Sequence, residues 1–251
     1  MTKVYSIVSN KGGILKTTLC VNISAEISKK NRTLVVDTDG QSNVAVSFPT
    51  RNSDFKYTLF DCLANGIDIK ETIVNIQENL DIIPAGKGMN SFIKKDNRSV
   101  LDLKAAIDSL KADYKYIFID TAPSMNFATL QAMVASDEII IPFQAEGYGM
   151  VSILNTIKAI QEVKNNVNPA LKINSIVITK YDSRSKVHKN FLKDIRNVSE
   201  RLGIELASTK IPHTLTGANS IFEEQTPTVF SKKWNKLKGI YSNLTREISS
   251  Q

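Results

Sequence analysis

The sequence predicts an α/β protein with a single open, mostly parallel, twisted β-sheet flanked by helices on both faces. Three observations carry this. Strand-like and helix-like runs alternate from one end of the 251 residues to the other. Strand-like runs repeatedly end in an acid or a glycine loop. No linker, repeat or low-complexity stretch divides the chain, so residues 1–251 read as one domain. Alternating β and α signals favour a parallel sheet covered on both sides, whose ligands lie beyond the carboxyl ends of the strands.

The elements follow in order. Val4–Val8 is an apolar strand, and Leu19–Ile27 has helical apolar spacing. Thr33–Asp37 is a buried strand that delivers acids at its end. Phe48–Lys56 lacks periodicity and reads as loop, Thr58–Ala64 as a short helix, and Ile67–Ile76 as a helix or turn. Leu80–Ala85 is a strand closed by Gly86-Lys87-Gly88, and Val100–Leu110 an amphipathic helix. Tyr116–Asp120 is the next strand. Glu138–Phe143 is a strand, Val151–Val163 a helix, Ile173–Thr179 a strand, Val187–Leu202 a basic helix and Leu206–Ile211 the last strand. Trp234, Leu237, Tyr241, Leu244 and Ile248 form one helical stripe.

Composition narrows the classes of function. The chain is 42% apolar and 23% charged, which is ordinary globular material. Lys plus Arg at 32 against Asp plus Glu at 25 gives a net charge of +7. That favours an acidic partner such as nucleic acid or an anionic membrane, although a merely soluble basic protein has the same balance. Cys20 and Cys62 match no metal-ligand spacing and read as reduced thiols of a cytoplasmic protein. The N-terminus enters a strand directly, and no apolar run approaches ~18 residues, so neither secretion nor membrane spanning is expected.

The stretch from Ser9 to Thr18 carries the chemistry. A strand, then Lys11-Gly12-Gly13-Ile14-Leu15-Lys16-Thr17-Thr18, then a helix is the context of a phosphate-binding loop, although glycines also mark plain turns. Backbone N–H groups of such a loop converge on an anion at the helix N-terminus. Lys16 would bring a charge to the β- and γ-phosphates, and the Thr17 hydroxyl would ligate Mg²⁺. Asp120 stands where a Mg²⁺-ordering carboxylate belongs, and Asp37 and Asp39 end another strand; each could otherwise be a cap or turn residue. Together they predict a nucleotide·Mg²⁺ site.

These segments resemble the ParA/MinD family of ATPases. Lys11 to Thr18 is similar to the family's deviant phosphate loop, with a second lysine ahead of two glycines. Asp37-Thr38-Asp39-Gly40-Gln41 resembles Asp-x-Asp-Pro-Gln, and Asp120-Thr121-Ala122-Pro123 resembles Asp-Thr-x-Pro. Ile178 to Arg184 and Lys210 to His213 resemble the segments flanking the adenine. The short ParA partition branch is the nearest likeness. The resemblance implies a P-loop NTPase fold with ATP and Mg²⁺ as cofactors, and an ATP-sandwich homodimer in which Lys11 reaches the neighbour's phosphates. It gives Asp39 the attacking water, Thr17, Asp37 and Asp120 the metal, and the 11–18 loop with Thr179, Ile211 and Pro212 the nucleotide. Lys11, Lys16 and Asp39 are the implied catalytic set.

Two positions depart from the pattern. Gly40 replaces proline, which is expected to loosen its loop. Leu15 replaces a glycine at a place where a branched side chain resists the required backbone.

The resemblance also makes Arg184, Lys186, Lys189, Lys193, Arg196, Lys232, Lys233 and Lys236 candidates for contact with DNA phosphates, where composition alone allows a solvated face. The implied function is DNA segregation: an ATP-bound dimer, associated with the nucleoid, binds DNA non-specifically. It is released when a ParB-like centromere-binding adaptor stimulates hydrolysis that is weak without it. Alternatives are a MinD-like membrane-positioning ATPase, which needs a free amphipathic tail, and a nucleotide switch whose turnover Leu15 suppresses.

Overall fold

The computed structural model describes residues 1–50, 55–92, 98–213 and 224–250. Its strands are β1 (Lys3–Ile7), β2 (Thr33–Asp37), β3 (Val74–Gln77), β4 (Leu80–Ile83), β5 (Tyr116–Asp120), β6 (Glu138–Gln144) and β7 (Lys172–Thr179). They form one sheet in the order β3-β4-β2-β5-β1-β6-β7. Every pairing is parallel except β3 with β4. The helices are α1 (Lys16–Ser28), α2 (Asn43–Val46), α3 (Leu59–Asn65), α4 (Asp102–Asp108), α5 (Phe127–Ala135), α6 (Gly149–Asn166), α7 (Lys186–Leu202) and α8 (Asn235–Ser249).

Alternation along the central strands sorts the core into two faces. Tyr5 and Ile7 of β1, Val35 of β2 and Phe118 of β5 pack with α1 and α8. Val4, Leu34, Val36, Ile117 and Ile119 point the other way, toward α3, α4 and α5. Further along that second side, Ile139, Ile141, Ile176 and Ile178 pack with α6 and α7. The stripe of α8 is spent on this core: Leu237, Tyr241, Leu244 and Ile248 are buried, and Trp234 is packed against them.

Three expectations change. Val74–Gln77, read as helix or turn, is an antiparallel edge strand that follows a 3-10 turn over Ile69–Thr72. Leu206–Ile211 is not a strand. Only isolated bridges join Leu206 to Ile176 and Pro212 to Tyr181, because the Ser208 and Thr209 amides donate to the Glu247 carboxylate instead of a ladder. Helix α5 has no counterpart among the elements read from the sequence. Seven of its nine residues are buried, which erases the amphipathic period by which a surface helix is recognised. Of the loop read over Phe48–Lys56, residues 51–54 lie outside the described set.

Candidate nucleotide site

The sheet order places the chemistry. β2, β5 and β1 are neighbours, with Asp37 opposite Asp120 and Asp120 opposite Ile7 in register. The carboxylates that end β2 and β5 therefore share a rim with the loop leaving β1, adjacent strands being ~4.8 Å apart.

The loop turns through left-handed backbone at Gly13 (φ 69) and at Leu15 (φ 70, ψ 29). For Leu15 this geometry costs about 1–2 kcal/mol relative to an ordinary helical conformation. Its side chain packs on the core beside α1, which offsets part of that cost. The loop thus keeps the conformation that a glycine would take there. The first helical bond of α1 runs from the Leu19 amide to the Leu15 carbonyl (2.9 Å), so the amides of Lys16, Thr17 and Thr18 precede it and face the rim as donors.

Lys16 is buried, and its Nζ donates to the Lys11 carbonyl at 3.0 Å. Burial lowers its pKa, while Asp120 and Asp39 act in the opposite direction. The Thr17 hydroxyl donates to Asp120 Oδ2 at 2.6 Å. Asp120 is wholly buried and its Oδ1 has no hydrogen-bond partner among the described residues. Burial pushes the Asp120 carboxyl up to about 7, against the Thr17 hydrogen bond and Lys16. A buried carboxylate with one oxygen unsatisfied, beside a hydroxyl, calls for a cation, so Thr17 and Asp120 fit a Mg²⁺ ion.

Asp37 is engaged on both of its oxygens. Its Oδ1 accepts from the Asp39 amide (2.9 Å) and its Oδ2 from the Val44 amide (3.1 Å), so it shapes the loop that carries Asp39. Burial and Asp120 raise its pKa. Asp39 itself accepts from the Gln41 amide at 3.1 Å. No cluster of three or more His, Cys, Asp or Glu suited to a metal occurs among the described residues.

Lys11 stands apart from this cluster. Its Nζ pairs with Glu146 Oε2 at 2.7 Å, and the Gln144 amide holds the other Glu146 oxygen. The Lys11 hydrogen bond and the charges of Lys11, Lys180 and His188 hold Glu146 below the usual carboxylate range, against a smaller opposing effect of burial. Glu146 was not among the residues singled out in the sequence. It lies two residues past the end of β6, and a search for acids just beyond each strand end would have found it.

The segments around Thr179 and Ile211 meet. Thr179 ends β7 and donates to the Phe143 carbonyl at 3.2 Å. The Tyr181 amide donates to the Ile211 carbonyl and the Ile211 amide to the Ile178 carbonyl, both at 2.9 Å, so Thr179 lies alongside Ile211 and Pro212. His188 closes the turn that precedes it: its Nδ1 accepts from the Asp182 amide.

A family model for an AAA domain matches residues 2–173. The chain is 30% identical to the chromosome partitioning protein ParA of Myxococcus xanthus, over 81% of this chain and 74% of that one. It belongs to the ParA family of P-loop ATPases. Among solved structures, a plasmid partition protein of Borrelia burgdorferi bound to AMPPNP superposes with a TM-score of 0.83 at 26% identity, covering 100% of this chain and 99% of that one. Cobyrinic acid a,c-diamide synthase of Mycobacterium smegmatis, bound to ADP and magnesium, superposes with a TM-score of 0.76 at 26% identity, covering 90% and 93%.

Of the basic candidates, Lys186, Lys189, Lys193 and Arg196 are exposed on α7 and make no ion pair among the described residues. Lys232 and Lys236 are exposed before and at the start of α8. Arg184 pairs with Asp182 and Lys233 with Glu224, so these two are partly neutralised. No described helix is long and apolar enough to cross a membrane.

Proposed function

We propose that this chain is a DNA-partition ATPase acting as a single P-loop domain in the cytoplasm, on the nucleoid. The observation that carries the ATPase reading is the convergence of Lys16, Thr17 and the half-satisfied Asp120 on one rim, beside the open donors of α1. Bound Mg²⁺ would neutralise charge on the phosphates. Lys16 and the amides from Gly12 to Thr18 would hold those phosphates, Thr17 and Asp120 the ion, and Asp37 the backbone of the Asp39 loop. Asp39 would orient the attacking water. Thr179, Ile211 and Pro212 would line the base.

Lys11 would leave Glu146 for the phosphates of a second subunit, which makes a homodimer depend on ATP. The α7 stripe would contact DNA phosphates without reading bases. A ParB-like adaptor would stimulate an otherwise weak hydrolysis and so release the DNA. A MinD-like membrane role receives no support from α8, whose apolar stripe is buried.

Band shifts on plasmid DNA of arbitrary sequence, with ATP, ADP and no nucleotide, test the partition reading. Retention is expected with ATP only. It should weaken steeply with salt and fall roughly tenfold or more in a variant with Lys189, Lys193 and Arg196 all changed to Ala. Binding to anionic vesicles with no retention of DNA would overturn it.

A further inference from the structure

Gly40 is buried, and a Cβ built there would lie 2.5 Å from the Asn90 backbone N and 2.6 Å from its Cγ. The Asn90 amide group bridges the loop from both sides: Nδ2 donates to the Gly40 carbonyl (3.4 Å), and Oδ1 accepts from Gln41 Nε2 (3.3 Å). Asn90 belongs to a 3-10 turn, Lys87–Ser91, which is itself seated against α3 at two glycines. A Cβ at Gly86 (φ 80) would come within 2.8 Å of Thr58 Cβ, and one at Gly88 within 2.5 Å of the Phe60 ring. Thr58 is fixed in turn by Asp61, whose Oδ2 accepts the Thr58 amide at 2.9 Å. Close contacts therefore run from α3 through the turn and Asn90 to Gly40, next to Asp39. At Gly40 the missing side chain is what lets Asn90 sit on the loop.

We infer that Asn90 is a positioning residue for hydrolysis: with Gly40 it forms a clasp that holds the Asp39–Gln41 loop in place of the absent proline. This rests on the ATPase reading above for its catalytic consequence, but not for the clasp itself. Two measurements on the full chain separate them. Amide exchange over residues 37–46 in Asn90→Ala should be roughly fivefold faster than in the wild type, the factor given by ~1 kcal/mol of lost hydrogen bonding. Steady-state phosphate release from Mg·ATP should show kcat down about fivefold in Asn90→Ala and about tenfold in Gly40→Ala, with KM within about twofold. Because both changes act on one contact, the double variant should be no slower than Gly40→Ala alone. Unchanged exchange in Asn90→Ala, additive losses in the double variant, or a rise in KM that accounts for the loss would each overturn the clasp. If the wild type releases no more phosphate than Lys16→Ala, the ATPase reading fails, and the exchange result alone decides the clasp.

Discussion

The two lysines of one glycine loop occupy opposite surroundings. Lys16 is buried beside Asp120 and Asp39 and held by a backbone carbonyl; Lys11, five residues earlier, reaches a carboxylate whose side chain is 50% exposed. Desolvated charges in the first environment are costly unless a ligand completes them. An exposed pair of the second kind contributes ~1 kcal/mol or less. One half of the loop is thus committed to a ligand, while the other half can exchange partners at little cost. A site built this way can hold a nucleotide firmly and still report its presence to a neighbouring molecule.

Removing the exposed half tests this contrast with the largest effect. Lys11→Ala should leave ATP affinity within about threefold but lower ATP-dependent dimer formation by tenfold or more, since a charge-assisted contact is worth about 1.5–3 kcal/mol. Analytical ultracentrifugation with ATP, alongside a binding titration, reads both. Loss of ATP affinity in parallel with dimerisation would merge the two halves.

The buried half carries a pH signature of intermediate size. Asp120 is protonated more readily when folded, at about 7, than when unfolded. Between the two values the folded chain binds the extra proton, so the stability of the nucleotide-free protein falls as pH rises toward 7 and levels off above it. The melting midpoint should drop by roughly 5 °C from about pH 5.5 to pH 8. Asp37, also raised by burial and by Asp120, acts in the same direction, so Asp120→Asn should reduce the slope, and Mg·ADP should reduce it further by supplying the cation. Asp108, Asp182 and Glu146 are shifted downward, so they act only below this window. A slope unaffected by Asp120→Asn would contradict the assignment.

The smallest effect belongs to Leu15. Leu15→Gly relieves ~1–2 kcal/mol of left-handed strain but loses core packing and adds unfolded-state freedom of ~1 kcal/mol. Stability by urea melting should change by less than about 1 kcal/mol, and turnover by less than about threefold. A large gain in turnover would mean that Leu15 holds the loop in a wrong shape.

What the sequence could reveal follows from where the information is local. The sheet, the strand-end acids and the loop were legible because each depends on a short apolar run and its boundary: Asp37 and Asp120 end their strands where the reading put them. Helix α5 was hidden by burial on nearly every side. The strand read over Leu206–Ile211 failed because a side chain from the far C-terminus, Glu247, takes its amides. Glu146 and Asn90 were missed for the same reason. Their roles are pairings over 135 and 50 residues of chain; the position of Glu146 just past a strand end is a local mark, but its partner is not, and Asn90 has no such mark. Leu15 was legible as a strain but not as its resolution, which needed the backbone itself.

Release of phosphate from Mg·ATP by the wild type and by Lys16→Ala, with plasmid DNA present, tests the central claim most directly. Lys16→Ala removes the buried cation beside the loop donors, so its rate should fall to the buffer background while the wild type stays at least tenfold above it. Equal rates from the two proteins would contradict the account.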